Sequence, residues 1–347
     1  MARDISSQER SHGRSRRRSH KGRWALAGLA ASMAWASWQK RQALKASRHD
    51  RLNTAPELSR SAMVNGILMR WEEHGERNDQ PPVVMLHGIP TNPRIWRHVI
   101  PRLADTGVCC LAWELVGFGW SINEGLERDI SVAAQADYFI AWLDHQQIER
   151  ATLVGHDIGG GVLQALLALH PERIAGLVLV DSVAFDNWPV PAVATAAQMA
   201  GIIEKLPPAL LRPIFHTALA NLGHDNTRRE IRSAALLWGP YSQPTGPAGF
   251  AHQARCMSAA QTQAIAPRLP LSPTMPIAMV WGDQDPLTLA SAERLATRLS
   301  VPTIRRIPGG HHFNPEDHPD IVADEVRRMI TRVAQGPDTG GLSDTVV

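Results

Sequence analysis

Residues 151–161 read Ala-Thr-Leu-Val-Gly-His-Asp-Ile-Gly-Gly-Gly. Ala151 to Val154 has the look of a short buried strand, and Gly159 to Gly161 open a helical pattern that runs from Val162 to His170. Between them, Gly155 and Gly159 flank Asp157 symmetrically. A chain that turns straight from strand into helix forces its central residue into strained backbone, and a side chain at either flanking position would clash. The central side chain then stands at the carboxyl edge of a sheet, beside a helix N-terminus with backbone N–H groups to offer. Serine is the usual occupant of such an elbow; here the position holds Asp157. An ordinary strand-to-helix turn with Asp157 as N-cap uses the same letters, so the rest of the chain has to decide.

Working outward, Ser61 to Gly75 reads as a hairpin turning at Asn65-Gly66. Pro82 to Leu86 and Val108 to Trp113 are continuous apolar runs, the mark of strands buried on both faces. A helical pattern built on Ile95, Trp96, Val99, Ile100 and Leu103 separates them, and Ile130 to Ile148 reads as a long amphipathic helix. Gly176 to Asp181, Pro276 to Trp281 and Thr303 to Ile307 are further strands; Leu289 to Leu299 and Glu316 to Ala334 are helical. This alternation predicts an α/β fold with an open, mostly parallel sheet flanked by helices. Ligands bind such sheets at the carboxyl ends of the strands. His87, Glu114, Asp157 and Asp181 each follow a predicted strand and should gather there. Between residues 187 and 268 only helical patterns and prolines occur: Ala192 to Leu206, Ala209 to Leu222, Thr227 to Leu237 and Gly249 to Gln263. Because strands resume afterwards, this reads as a helical lid inserted into a core of residues 59–186 and 269–334.

The ends of the chain differ from its body. Of the 347 residues, 1–51 hold 13 Lys or Arg against three acids, a net +10, so the overall +3 leaves −7 for the remainder. A mildly acidic body argues against nucleic acid as a partner. Within the basic extension of residues 1–58, Trp24 to Trp38 is a 15-residue run without charge. It is shorter than the roughly 20 residues a bilayer span takes. Residues 14–38 are compatible with export or membrane association, or, if the segment is not functional, with a cytoplasmic protein; Lys40, Arg41 and Lys45 resist translocation. Gly336 to Val347 closes a tail, residues 335–347, whose composition reads as disordered. Cys109, Cys110 and Cys256 form no disulfide framework or metal spacing and read as buried thiols.

Asp157, Asp285 and His312 stand at three strand ends in the chain order nucleophile, acid, base. With the segments around them, the chain from about Ser59 to Val333 resembles the α/β-hydrolase fold family, and within it the haloalkane dehalogenase and epoxide hydrolase branch, which uses an Asp nucleophile. His87-Gly88-Ile89-Pro90-Thr91, with Trp96-Arg97 and Ile100-Pro101, is similar to the branch's oxyanion segment. Gly155-His156-Asp157 is similar to its elbow and Gly282-x-x-Asp285 to its acid position. His312-Phe313-x-x-Glu316-Asp317-x-Pro319 matches the base segment, which selects His312 over His311. The resemblance implies a covalent alkyl ester on Asp157, hydrolysed by water that His312 and Asp285 activate. Backbone N–H groups of Ile89 and Ile158 would form the oxyanion hole.

Two departures bear on the substrate. In dehalogenases of the branch the positions of Ile89 and Ile158 usually hold an Asn or Glu and a Trp, of which the Trp, and Asn where present, donate side-chain N–H groups to the halide; isoleucine donates nothing. Epoxide hydrolases protonate the ring oxygen from lid tyrosines, and the lid has Tyr241, with His216, His224 and His252 as candidate companions. Trp188 and Trp238 are candidate leaving-group donors or packing residues; Tyr241 is open to the same second reading. Asp181 is a rival acid ranked below Asp285, and Glu114 reads as structural. The expectation is a hydrolase of small apolar organic molecules that needs water, no cofactor and no metal. An epoxide is slightly favoured as substrate over an alkyl halide. An ester or lactone hydrolase, or a binding protein on the same fold, is the further alternative, and the sequence is silent on oligomeric state.

Overall fold

The computed structural model describes residues 58–225 and 227–336. Apart from Leu58, Gln335 and Gly336, the expected N-terminal extension, with its segment 14–38, and the expected C-terminal tail lie outside the described residues. Among the described residues, no helix is long and apolar enough to cross a membrane.

Eight strands form one sheet: β1 (Arg60–Val64), β2 (Ile67–His74), β3 (Val83–Leu86), β4 (Cys110–Trp113), β5 (Ala151–Asp157), β6 (Ile174–Ser182), β7 (Ile277–Gly282) and β8 (Ile304–Ile307). Their order is β1-β2-β4-β3-β5-β6-β7-β8. β1 and β2 run antiparallel to their neighbours and β3 to β8 are parallel. The hairpin turns where expected, with Asn65 (φ 49°) and Gly66 (φ 76°) both left-handed, as a two-residue connection between twisted strands requires.

The apolar runs are explained by burial on both faces. Side chains alternate along a strand, so Val84 and Leu86 enter one core while Val83 and Met85 enter the other. The first core packs under α1 (Val132–His145), α2 (Ile158–Leu169) and a helix at Leu289–Arg298. The second packs under the closing helix at Pro319–Gln335 through Val322, Val326 and Met329.

Between β6 and β7 lies a helical insertion: α3 (Pro191–Gln198), a turn at Ala200–Ile203, α4 (Pro208–Leu222), α5 (Thr227–Tyr241), α6 (Gly246–Cys256) and α7 (Ala259–Ile265). Four expectations are corrected here. The pattern over 95–103 is two 3₁₀ segments, Pro93–Trp96 and Ile100–Thr106, because Pro101 has no N–H for an α-helical ladder running on from Pro93. The helix expected over 192–206 breaks at Met199, two residues before the poor helix former Gly201. Thr227–Tyr241 runs one turn past the expected stop, with Pro240 in its last turn. The stretch 249–263 is two helices, because the Ser258 hydroxyl caps a new start by accepting from the Ala260 N–H (3.3 Å).

Candidate active site

β5 passes into α2 at Asp157 with no intervening loop. Asp157 takes the strained backbone this demands (φ 54°, ψ −121°). The flanking glycines are steric necessities. A Cβ on Gly155 would stand 2.7 Å from the Gly160 backbone, and one on Gly159 2.5 Å from the Leu86 carbonyl oxygen. The N-cap alternative fails, because the Asp157 side chain makes no capping bond to α2. Its Oδ2 instead accepts the Ile89 N–H, 2.7 Å away, from the loop after β3. Ile158 is the first residue of α2, where backbone N–H groups have no intrahelical partner.

His312 stands between two carboxylates. Its Nδ1–H donates to Asp285 Oδ2 at 2.8 Å, and its Nε2 lies 3.8 Å from Asp157 Oδ1. Asp285 Oδ1 accepts the Leu287 N–H at 2.6 Å, which fixes that oxygen and leaves Oδ2 to the histidine. Burial disfavours the imidazolium, yet the carboxylates of Asp285 and Asp157 outweigh it and raise the His312 pKa well above its ordinary value. Burial would raise the Asp157 carboxyl, but the neighbouring His312 and the Ile89 N–H hold it below the usual value.

The rival acid, Asp181, points elsewhere. Its oxygens accept the Gly282 N–H (2.8 Å) and the Asn314 side-chain amide (2.7 Å), tying β6 to β7 and to the loop that carries His312. Burial and the Asp285 charge raise its pKa well above the carboxylate range. Glu114 is structural, as expected: it accepts from the Trp120 N–H (2.9 Å) and the Ser121 hydroxyl (2.8 Å), and burial pushes its pKa up to about 7.

Several motif residues act as supports. The His87 Nδ1–H donates to the Gly88 carbonyl (2.8 Å), while Nε2 accepts the Leu115 N–H (3.1 Å). Burial lowers its pKa to about 4, so the ring is neutral at pH 7. Arg97 holds Glu316 with both ends of its guanidinium, Nη2 to Oε2 at 2.9 Å, joining the loop after β3 to the histidine loop. His156 donates from Nε2 to the His312 carbonyl (2.8 Å), and burial with the nearby His312 lowers its pKa to about 3.

Asp157 and His312 open on a cavity of about 130 Å³ whose wall is apolar: Val183, Trp188, Val190, Phe215, Leu219, Phe250, Leu287 and Phe313 contribute. An apolar cavity of roughly 150 Å³ accommodates benzene. Among the described residues, no cluster of His, Cys, Asp and Glu is arranged to hold a metal.

The expected leaving-group donors are corrected by this geometry. Tyr241 does not line the cavity; its buried hydroxyl donates to Gln253 Oε1 at 2.8 Å, and burial raises its pKa. Trp238 does not line it either and packs on Phe215, ring centroids 5.4 Å apart. Trp188 does line it, but its indole N–H is spent on the Thr262 hydroxyl at 2.7 Å. His216, His224 and His252 are engaged with Arg212, Asp317 and the Arg128 carbonyl, away from the cavity wall. Gln253, which no sequence motif marks, does line the cavity.

A parallel sheet carrying a strand-to-helix elbow, with an acid and a histidine on later strand ends, defines a class of hydrolases. The chain matches the family described as alpha/beta hydrolase fold over residues 81–319, and it belongs to that family. Over 145 residues it is 32% identical to a haloalkane dehalogenase of Mesorhizobium japonicum, covering 42% of this chain and 45% of that protein. Over 129 residues it is 37% identical to epoxide hydrolase A of Mycobacterium tuberculosis, covering 37% of this chain and 39% of that one. The matched stretch thus spans less than half the length of each of these relatives. Among solved structures, an alpha/beta hydrolase fold protein from Burkholderia ambifaria superposes with a TM-score of 0.69 at 25% identity, covering 78% of this chain and 97% of that one.

Proposed function

We propose that the protein cleaves a small apolar alkyl substrate by forming an ester on Asp157 and hydrolysing it, and that the leaving group departs as a halide. The observation that carries this reading is the elbow carboxylate itself. Asp157 Oδ2 is held by the Ile89 N–H, so Oδ1 is the oxygen free to attack carbon. The new C–O bond forms as the carbon–halogen bond breaks, and the halide leaves with the electron pair.

Hydrolysis then falls to His312. Its Nε2 faces the ester from 3.8 Å on the Oδ1 side, where a water attacking the Asp157 carbonyl carbon would give up a proton. Asp285 stabilises the imidazolium that forms. The oxyanion develops on Oδ2, already beside the Ile89 N–H, with the start of α2 behind it. Collapse of the intermediate releases the alcohol, which takes the proton from His312, and the regenerated carboxyl ionises.

The sequence favoured an epoxide because Ile89 and Ile158 offer no halide donor and because Tyr241 is present. An epoxide oxygen leaves as an alkoxide and needs an acid, and the only lid phenol is bonded to Gln253 away from the cavity. A halide is a stable anion and needs a hydrogen bond at most. The helices of residues 187–268 serve in this reading as the lid that shapes the pocket. Single turnover in heavy-oxygen water tests the intermediate: label enters Asp157 first and reaches product on later turnovers. Label in first-turnover product would exclude the ester. The His312→Gln variant should accumulate the adduct, visible by intact mass. Matched haloalkanes, epoxides and p-nitrophenyl esters separate the substrate classes.

A further inference from the structure

The alkyl-ester reading leaves the departing halide without a partner, because Ile89 and Ile158 have apolar side chains and the Trp188 N–H is spent on Thr262. Gln253 stands on α6, is 3% exposed and lines the same cavity as Asp157 and His312. Two hydrogen bonds fix its amide. A carbonyl can only accept, so the atom 2.7 Å from the Gly117 oxygen is Nε2, and Oε1 takes the Tyr241 hydroxyl. An amide nitrogen carries two hydrogens. One is used by Gly117; among the described residues none accepts the other.

Resting on the alkyl-ester reading, we propose that the second Nε2–H of Gln253 is the donor that receives the departing halide. Tyr241 strengthens it in two ways. Donation into Oε1 draws electron density from the amide and makes its N–H groups better donors, and with Gly117 it holds the amide plane fixed. The arrangement also accounts for Tyr241 itself. Its phenol acts on the leaving group through Gln253, as a positioning residue. An amide N–H can stabilise an anion but has no proton to give at neutral pH, which suits a halide and not an epoxide oxygen. No group changes its covalent state at Gln253: the carbon–halogen electron pair goes to the halide, and the amide donates a hydrogen bond only.

The test uses the full chain in the His312→Gln background, where alkylation can be timed alone by intact mass. A set of 1-haloalkanes differing only in chloride, bromide or iodide is the probe. Gln253→Met keeps the volume and removes the donor. It should slow alkylation by the chloride on the order of 100-fold, as loss of one preorganised donor does. The iodide, a weaker acceptor and better leaving group, should slow less than about 10-fold on the same grounds. Tyr241→Phe, which removes one oxygen and no volume, should show the same ordering with smaller factors, and it decides the matter if Gln253→Met does not fold. Equal factors for all three halides, or none, would mean that Gln253 only packs the lid, and the proposal is overturned. If the protein with Gln253 intact takes up no adduct from any haloalkane, the ester reading itself has failed and takes this inference with it.

Discussion

Replacing Asp285 by Asn tests the base and its acid together, because the structure dictates how the new amide must sit. Asp285 Oδ1 accepts the Leu287 N–H at 2.6 Å and Oδ2 accepts His312 Nδ1–H at 2.8 Å. The amide oxygen has to stay on the Leu287 side, since an NH₂ there would meet another donor. The NH₂ therefore faces His312 and can only donate, so Nδ1 becomes the acceptor and the ring proton moves to Nε2. A protonated Nε2 has no lone pair for a proton from water. Alkylation of Asp157 does not use that lone pair and should stay within a few-fold of the unmutated rate. Ester hydrolysis should fall about 10⁴-fold, some 5 kcal/mol of transition-state stabilisation, the cost of a wrong tautomer in a triad. The assay is rapid-quench intact mass together with released halide: one equivalent appears at the normal rate, then turnover stops with the protein alkylated. Steady-state turnover within about tenfold of normal, with no adduct, would refute the reasoning.

Four further outcomes are expected, at this site and elsewhere in the molecule. Esterification of Asp157 removes one of the two carboxylates that raise the His312 pKa, so in the adduct that pKa should be lower than in the resting enzyme. Hydrolysis of isolated adduct should rise with pH until the imidazole is neutral, while alkylation, which needs only the low-pKa Asp157 ionised, should be flat above about pH 5. Glu114 titrates at about 7 when folded against an ordinary 4.5. Between those values the folded state holds a proton that the unfolded chain releases, so stability falls as pH rises. Glu114→Gln abolishes that slope, and by denaturant titration the variant should gain relative to the unmutated protein across the window, on the order of 3 kcal/mol at most. Gly159→Ala should cost about 1–3 kcal/mol by thermal denaturation, since its Cβ would meet carbonyl oxygens of Leu86 and His87 that cannot turn aside. Gly201→Ala, with nothing within 4 Å, should be neutral or stabilising.

Most of the candidate site was legible because it rests on short-range sterics and strand ends. Gly155 and Gly159 announce an elbow, and apolar runs buried on both faces announce a parallel sheet. Once strands are parallel, residues directly after them share one edge whatever the intervening chain does. Asp157, Asp285 and His312 needed no more than that to be brought together. The insertion between β6 and β7 was legible only as helices. An amphipathic pattern shows that a face is buried but not which neighbour buries it, so Tyr241, Trp188 and Trp238 read alike as donors or as packing. The break at Ser258 was visible in principle, as a capping residue within a helical pattern.

The sequence by itself determined the fold, the elbow that presents Asp157 and the gathering of Asp157, Asp285 and His312 at one sheet edge, because each follows from local backbone geometry and the periodicity of buried side chains. Only the tertiary structure decided where the polar atoms of the helical insertion and of Asp181 point. It turned the Tyr241 hydroxyl onto Gln253, closed the Trp188 N–H on Thr262 and gave Asp181 to Gly282 and Asn314. Each outcome depends on a partner far away in the chain or on the rotation of one helix face, and no spacing of letters records that.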